Sequence, residues 1–197
     1  MKFFACALVA LVPALAAAPE IDKGKSFGGS NAPITIELFT CFTCPHCKVF
    51  HNEIVPQLMR DYVVSGKVYL VNRDFPLNHP DHRYCRDAHI YADAAARIGK
   101  YQQVADELWA NQANWARSGD IWGTIAPVLS PDEQKKVQAL AKDPGIAAEV
   151  QRELEYGAAN GVNGTPSLLV IKGARKIPVP RVENYNFLKS MLDDLLK

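Results

Sequence analysis

The sequence has little cysteine and no excess of charge of one sign. Its 22 lysines and arginines nearly balance 21 aspartates and glutamates, the net charge is +1, and the basic residues are scattered along the chain. Nucleic-acid-binding domains usually carry a basic patch or stripe, so this composition disfavours a polyanionic partner. The 197 residues, 48% of them hydrophobic, are enough for one well-packed domain with room for an embedded subdomain.

Only one long apolar run is present, and it lies at the N-terminus. Lys2 is followed by FFACALVALVPALA and then by small residues around Ala14 and Ala16. A basic start, an apolar core and a small-residue cleavage site are typical of a secretory signal, and the run is too short for a membrane-spanning helix. We therefore expect a signal peptide over residues 1–18 that includes Cys6 and exports the protein from the cytoplasm. A membrane tether at this end is the alternative.

The residue patterns that follow predict an α/β fold. PITIELF and KVYLVNRDF are apolar, β-branched runs typical of buried strands. Between them, the segment 44–65 carries an apolar stripe with residues four apart, which predicts a helix kinked at Pro56 and capped at Gly66. Strand, helix and strand form a βαβ unit, so the two strands should be parallel neighbours. Residues 19–32, rich in Gly, Ser and Lys, are expected to be a mobile lead-in.

The rest of the chain predicts helices and then a hairpin. From about residue 81 to 160 the sequence is Ala-rich and amphipathic with no strand pattern, and Ser130, Pro131 and Glu133 have the character of a helix start. PSLLVIKG and RKIPVP then predict a β-hairpin around Gly173. ENYNFLKSMLDDLLK predicts a final helix.

The segment CFTCPHC joins the first strand to the helix and carries the reactive cysteines. Pro45 suits the first helical turn, which makes Cys44 the N-cap residue and places its sulfur over unpaired amides that lower a thiol pKa. Cys47 lies on the same face, within disulfide reach and more deeply placed. His46 can donate a hydrogen bond or a positive charge to the Cys44 thiolate. We expect Cys44 to be the exposed attacking sulfur and Cys47 the resolving one.

A stabilised thiolate favours the reduced pair and therefore makes the disulfide a stronger oxidant. We expect an enzyme that donates its Cys44–Cys47 disulfide through a mixed disulfide at Cys44. It needs no cofactor, and a protein or quinone-linked membrane partner must reoxidise it. C-x-x-C also occurs at zinc sites, but the strand, the proline and the helix around this motif favour redox chemistry. A reductase or isomerase that uses the same cysteines in the opposite direction is the nearer alternative.

Together these motifs resemble those of the DsbA-like thiol–disulfide oxidoreductases. The resemblance covers roughly residues 30–195 and rests on ITIELFTCFTCPHC, on DFPL after the second strand and on GVNGTP before the third. It implies a thioredoxin-like fold, formed by residues 30–77 and 161–197, with an inserted α-helical subdomain over 78–160. It also implies that Pro166 is cis and lies against the active-site disulfide, and that Thr165 contacts the substrate. Reduced cysteine pairs of proteins newly exported to the periplasm are the implied substrates.

Two features depart from the family pattern. Relatives commonly carry a buried acid six residues before the first active-site cysteine, where this sequence has Leu38, and its acid is Glu37. Because neighbouring strand residues point to opposite faces, Glu37 can act as a proton shuttle only if a bulge intervenes. The second departure is Cys41, which extends the motif to C-x2-C-x2-C. Iron–sulfur sites use a similar run, but the fourth nearby cysteine is missing.

Cys41 and Cys85 are each other's only remaining partners once Cys44 and Cys47 are paired. A second disulfide between them would stabilise the fold by about 3–4 kcal/mol; two free thiols or a second redox relay are the alternatives. With His79, His82 and His89, these cysteines also have metal-ligand spacing. A metal-binding or metal-delivery protein is therefore the alternative from a different functional class, although a polar, solvated helix start accounts for the same residues.

Overall fold

The computed structural model of this chain describes residues 19–20, 22–182 and 184–197. The predicted signal peptide, residues 1–18, lies outside the described residues. Over the described ranges, no helix has both the length and the apolar character that a membrane crossing requires.

A five-stranded mixed sheet forms the centre of the fold, with the strand order β1-β3-β2-β4-β5. The predicted strand pair and hairpin are both confirmed, since β2 and β3 run parallel while β4 is antiparallel to β2 and to β5. The strands are β1 (Ser26–Phe27), β2 (Ile34–Thr40), β3 (Val68–Asp74), β4 (Ser167–Lys172) and β5 (Arg175–Val179).

The connection from β2 to β3 is helical, as predicted, and it is broken near Pro56. Helix α1 (Pro45–Glu53) is interrupted at Ile54 before α2 (Val55–Leu58), which continues as a wider π-type turn over Met59–Val63. Pro56 has no N–H to donate to the preceding turn, which explains the interruption. Gly66 follows with φ of +72°, a backbone conformation that glycine adopts without strain.

From about residue 81 to 160 the chain is mostly helical and forms no strand, as its sequence predicts. Its helices are α3 (Cys85–Ala96), α4 (Tyr101–Ala110), α5 (Gln112–Ser118), α6 (Ile121–Ile125), α7 (Pro131–Leu140) and α8 (Pro144–Ala159). At the predicted start of α7, Ser130 and Glu133 form a reciprocal capping box. The chain ends in α9 (Tyr185–Leu196), also as predicted.

The two faces of the sheet are covered by different helices. Leu38 of β2 belongs to an apolar cluster with Phe50 of α1, Leu58 of α2 and Leu188 of α9. On the opposite face, Phe39 packs in a cluster with residues of α8 and of the loop after β3. Helix α8 therefore covers the sheet, although the predicted division counts it with the insert, and that division stays a prediction.

The N-terminal segment departs from the expected mobile lead-in. Residues Lys23–Lys25 form a 3-10 turn, and β1 pairs with β3. Lys25 is only 1% exposed, and its Nζ lies 2.7 Å from Asp74, 2.9 Å from Asp93 and 3.0 Å from Glu153. A buried ammonium is tolerated only when it is paired, so three distant carboxylates hold this segment on the fold.

Candidate active site

The turn between β2 and α1 builds the site. Strand β2 ends at Thr40, and the N–H of Cys44 donates to the carbonyl of Cys41 at 2.9 Å to form a tight turn. Cys44 is the N-cap residue of α1, with extended backbone dihedrals, and Pro45 is the first helical residue. These are the positions that the sequence predicts for the two residues, and they aim the first-turn amides at the Cys44 side chain.

Cys44 and Cys47 are both free thiols in this structure. Cys47 is fully buried, and the N–H of Cys47 donates to the Cys44 carbonyl at 3.1 Å. Cys44 was expected to be exposed, but only 5% of its surface is exposed, so this expectation is wrong. A neighbouring loop explains this burial, because the Cys44 thiol lies 3.5 Å from the carbonyl oxygen of Thr165.

The pKa values of the two thiols are shifted in opposite directions. A hydrogen bond from the Cys47 thiol is the largest effect that lowers the pKa of Cys44, to about 5, against the opposing effect of burial. The backbone N–H groups of Cys47 and His46 and the side chain of Thr165 lower it further. Burial raises the pKa of Cys47 well above the ordinary thiol value, and the adjacent Cys44 adds to this increase. At neutral pH the dithiol form therefore carries its negative charge on Cys44 and its proton on Cys47.

His46 contributes differently from the sequence-based expectation. Its side chain is exposed, and its contribution to the lowered pKa of Cys44 comes from the backbone N–H rather than from the ring. The imidazole instead lines a groove of about 810 Å³ that opens beside the active-site turn. Other residues along this groove are Val49, Glu53, Thr165, Pro166, Arg181 and Tyr185.

The loop before β4 brings Thr165 and Pro166 to the cysteines. The Thr165–Pro166 peptide bond is cis, as the family resemblance implies. The Thr165 side chain lowers the pKa of both Cys44 and Cys47. Thr165, 121 positions after Cys44 in the chain, and Pro166 therefore form the second wall of the site.

Glu37 lies on the wrong face of the sheet for a proton shuttle to the cysteine pair. Its register with β3 and β4 continues without a bulge into Leu38, and Leu38 faces α1. Glu37 points to the other face, where it accepts hydrogen bonds from Arg73 at 2.6 Å and from the Tyr156 hydroxyl at 2.9 Å. The structure therefore argues against the shuttle hypothesis, because alternation along β2 separates this carboxylate from the α1 side.

Sequence analysis missed a buried network of charges that begins at Glu37. Arg73 bridges Glu37 and Glu153, and Lys25 joins Glu153 to Asp74 and Asp93. Burial and the neighbouring Asp74 raise the pKa of Asp93, and the same two effects raise the pKa of Glu153 to about 7. The charged pair Arg73–Asp74, at the end of a strand predicted to be buried, was the available signal in the sequence.

Cys41 and Cys85 form a disulfide, with their Cα atoms 5.9 Å apart. Bonded sulfurs are not thiolate ligands, which argues against the metal-binding alternative. Of the histidines in that alternative, His89 is buried with its Nδ1 2.6 Å from Asp74, and His82 Nδ1 lies 2.8 Å from the Thr43 hydroxyl. His79 is exposed near His82. Within the described ranges, no group of three or more His, Cys, Asp or Glu side chains is arranged so that it could hold a metal ion.

Comparisons with known proteins agree with this geometry. The family model described as Thioredoxin matches residues 21–187. The chain belongs to the thioredoxin family. Disulfide bond formation protein D of Bacillus subtilis is 34% identical over 168 residues, which cover 80% of this chain and 72% of that protein. The chain spans about half the length of other curated relatives, putative protein-disulfide oxidoreductases of Rickettsia species.

Solved structures confirm the predicted fold class, a thioredoxin-like fold with an inserted helical subdomain. BdbD from Bacillus subtilis superposes with a TM-score of 0.73 at 19% identity, covering 92% of this chain and 97% of that one. Alpha-DsbA1 of Wolbachia pipientis gives a TM-score of 0.70 at 17% identity, with 87% and 89% coverage. In its fold, the chain is therefore similar to the DsbA structures.

Proposed function

We propose that this protein is an exported thiol:disulfide oxidoreductase that donates its Cys44–Cys47 disulfide to reduced cysteine pairs of exported proteins. The opposite pKa shifts of the two cysteines carry the proposal, with Cys44 lowered to about 5 and Cys47 raised by burial. A pair that is stable as thiolate plus thiol gains from being reduced, so its disulfide form is a strong oxidant. The name of the Bacillus subtilis relative, disulfide bond formation protein D, supports the same direction.

The reaction begins with the disulfide form of the pair. A substrate thiolate attacks the Cys44 sulfur, a mixed disulfide forms, and Cys47 leaves and takes up a proton. A second substrate thiolate then attacks the substrate sulfur of the mixed disulfide, and Cys44 leaves as a thiolate. The substrate has lost two electrons and gained a disulfide, and the enzyme is left as the dithiol.

The groove beside the turn is the proposed surface for the substrate segment that carries the attacking cysteine. His46 and the Thr165–Pro166 loop lie along it, and Val49 offers a half-exposed apolar side chain. A peptide lying here would reach Cys44 from the side where Thr165 already contacts its sulfur.

Export through residues 1–18 would deliver the protein to the periplasm or another extracytoplasmic compartment, where its substrates fold. A reoxidising partner, quinone-linked and in the membrane, would restore the disulfide after each turnover. The division into a thioredoxin-like part (30–77 and 161–197) and a helical insert (78–160) belongs to the same proposal. In this division the insert reaches the active-site turn from the side of α4 and α5.

The equilibrium of the Cys44–Cys47 pair with a glutathione redox buffer tests the proposal. We expect the pair to stay reduced in buffers that oxidise an ordinary dithiol, and Cys44 to titrate with a midpoint near pH 5. The Cys41→Ala/Cys85→Ala variant isolates the active pair, and Cys44→Ser is the inactive control. A potential close to that of thioredoxin, about −270 mV, would instead assign a reductase. Absence of any exchange would remove the redox function altogether.

A further inference from the structure

Among the contacts of the helical insert with the active-site turn, those of the buried side chain of Gln112 reach the backbone of the turn. This residue is the first of α5 and is 6% exposed. Its Nε2 donates to the Phe42 carbonyl at 2.7 Å and to the Cys44 carbonyl at 2.9 Å. The amide group has two protons, and both are used on the backbone of the turn that precedes α1.

Other residues near Gln112 in the insert also contact the start of α1. The ammonium of Lys48 donates to the Ala110 carbonyl at 3.1 Å, and the Trp109 ring packs against Phe42 at 4.6 Å between centroids. Trp109 also stacks on His51 of α1. Among these contacts, only Gln112 bonds to the main chain of Cys44 itself.

The Cys44 carbonyl belongs to the residue that carries the attacking sulfur, and several hydrogen bonds fix it. It already accepts hydrogen bonds from the N–H groups of Cys47 and Lys48, at 3.1 and 3.2 Å, which close the first turn of α1. The bond from Gln112 fixes the same peptide group from outside the helix, and the bond to Phe42 fixes the peptide two residues earlier. Since hydrogen bonds to the sulfur weaken steeply with distance and angle, small rotations of these peptides would weaken those that stabilise the thiolate.

We propose that Gln112 is a positioning residue for disulfide exchange, a proposal that rests on the proposed function. Its side chain holds the Phe42 and Cys44 carbonyls so that the Cys44 sulfur stays over the first turn of α1. The insert thereby influences how readily Cys44 carries a thiolate, without touching the sulfur. The hydrogen bonds that lower the pKa of Cys44 come from the Cys47 thiol, from first-turn amides and from Thr165, all of which require this placement.

The test compares two variants of the full chain. Gln112→Met keeps the length and packing of the side chain but has no donor, and Val137→Ala removes buried volume from α7 of the same insert. Thiolate absorbance of the reduced protein gives the Cys44 titration midpoint, glutathione gives the redox equilibrium, and urea unfolding gives the stability. We expect Gln112→Met to raise the midpoint by about one pH unit, a tenfold change in the thiolate-to-thiol ratio. The equilibrium should move about tenfold towards the disulfide. Val137→Ala should lose stability and leave both values unchanged.

Two results would overturn the proposal. A Gln112→Met protein with a wild-type midpoint and equilibrium would show that the side chain is only structural. Equal shifts in Val137→Ala would show that general loosening of the insert is responsible. If Gln112→Met does not fold, Gln112→Asn, which keeps the amide but is one methylene shorter, carries the same expectations. Failure of the wild-type pair to exchange with glutathione would refute the proposed function, while the titration would still decide the role of Gln112.

Discussion

Lowering the pH from 8 to 5 should destabilise the dithiol form of this protein relative to its disulfide form. The cause is Cys44, whose pKa falls from the ordinary thiol value of 9.0 to about 5 in the folded dithiol protein. A group with a lowered folded-state pKa stabilises the fold fully above its unfolded pKa and loses that contribution as the pH falls through its folded pKa. The disulfide form has no thiol at this position and shows no such dependence.

The magnitude follows from the two pKa values of Cys44. Each unit of difference corresponds to about 1.4 kcal/mol, so the thiolate stabilises the dithiol protein by about 3 kcal/mol at pH 7 and about 4 kcal/mol at pH 8. At pH 5 less than about 0.5 kcal/mol remains. The measurement stops at pH 8 because the raised pKa of Cys47 destabilises the folded dithiol protein as the pH rises above the ordinary thiol value.

Urea unfolding of the two redox forms at pH 5, 6, 7 and 8 measures this difference directly. Thiol trapping with mass analysis verifies that the Cys41–Cys85 disulfide stays closed in both forms. The reduced Cys44→Ser variant is the matched control and should lack the slope of about 1.4 kcal/mol per pH unit. A difference between the two forms that stays flat from pH 5 to pH 8 would refute the assignment of the thiolate to Cys44.

Three other substitutions test the packing that supports the site. Cys41→Ala/Cys85→Ala opens a loop of 44 residues and should cost about 4 kcal/mol in urea unfolding; a loss below about 1 kcal/mol would mean that the bond does not restrain the unfolded chain. Lys25→Met leaves three buried carboxylates without their ammonium and should cost about 3–5 kcal/mol, whereas exposed Lys23→Met should change stability by no more than about 0.5 kcal/mol. Gly157→Ala puts a methyl group 2.8 Å from the Phe39 ring and should lower the unfolding free energy by about 1–3 kcal/mol, and an unchanged or higher stability would contradict that contact.

The parts of the fold that were predictable from sequence depend on local patterns. The strand PITIELF, the Cys44–Pro45 helix start and the Ser130–Glu133 capping box are each encoded within a few residues. The parallel pairing of β2 and β3 followed because a βαβ connection has a strong preference for one arrangement. Each of these features could be predicted because the residues that determine it are neighbours in the chain.

Features that depend on distant contacts could not be predicted in the same way. The segment around Lys25 was expected to be mobile because its composition is polar, yet its ammonium is buried against carboxylates 49 to 128 positions away. Gln112 lies 68 positions after Cys44 and has no recognisable motif. The burial of Cys44 depends on the loop at Thr165. No local pattern indicates such contacts, because each joins residues that are far apart in the chain.

The register of β2 places the cysteine pair and the buried charge network on opposite faces of the sheet. Leu38 faces α1, so this strand presents an apolar side chain to the layer that contains Cys47, and burial raises the pKa of that thiol with no added effect from a carboxylate of β2. Glu37 faces α8 and is held by Arg73 in the buried charge network. A strand shifted by one residue would exchange these positions. It would leave Arg73 without one of its two carboxylates and would place a carboxylate on the side of the cysteine pair. The same alternation therefore keeps the carboxylate of β2 away from the cysteine pair and keeps the ionic network on the opposite face of the sheet.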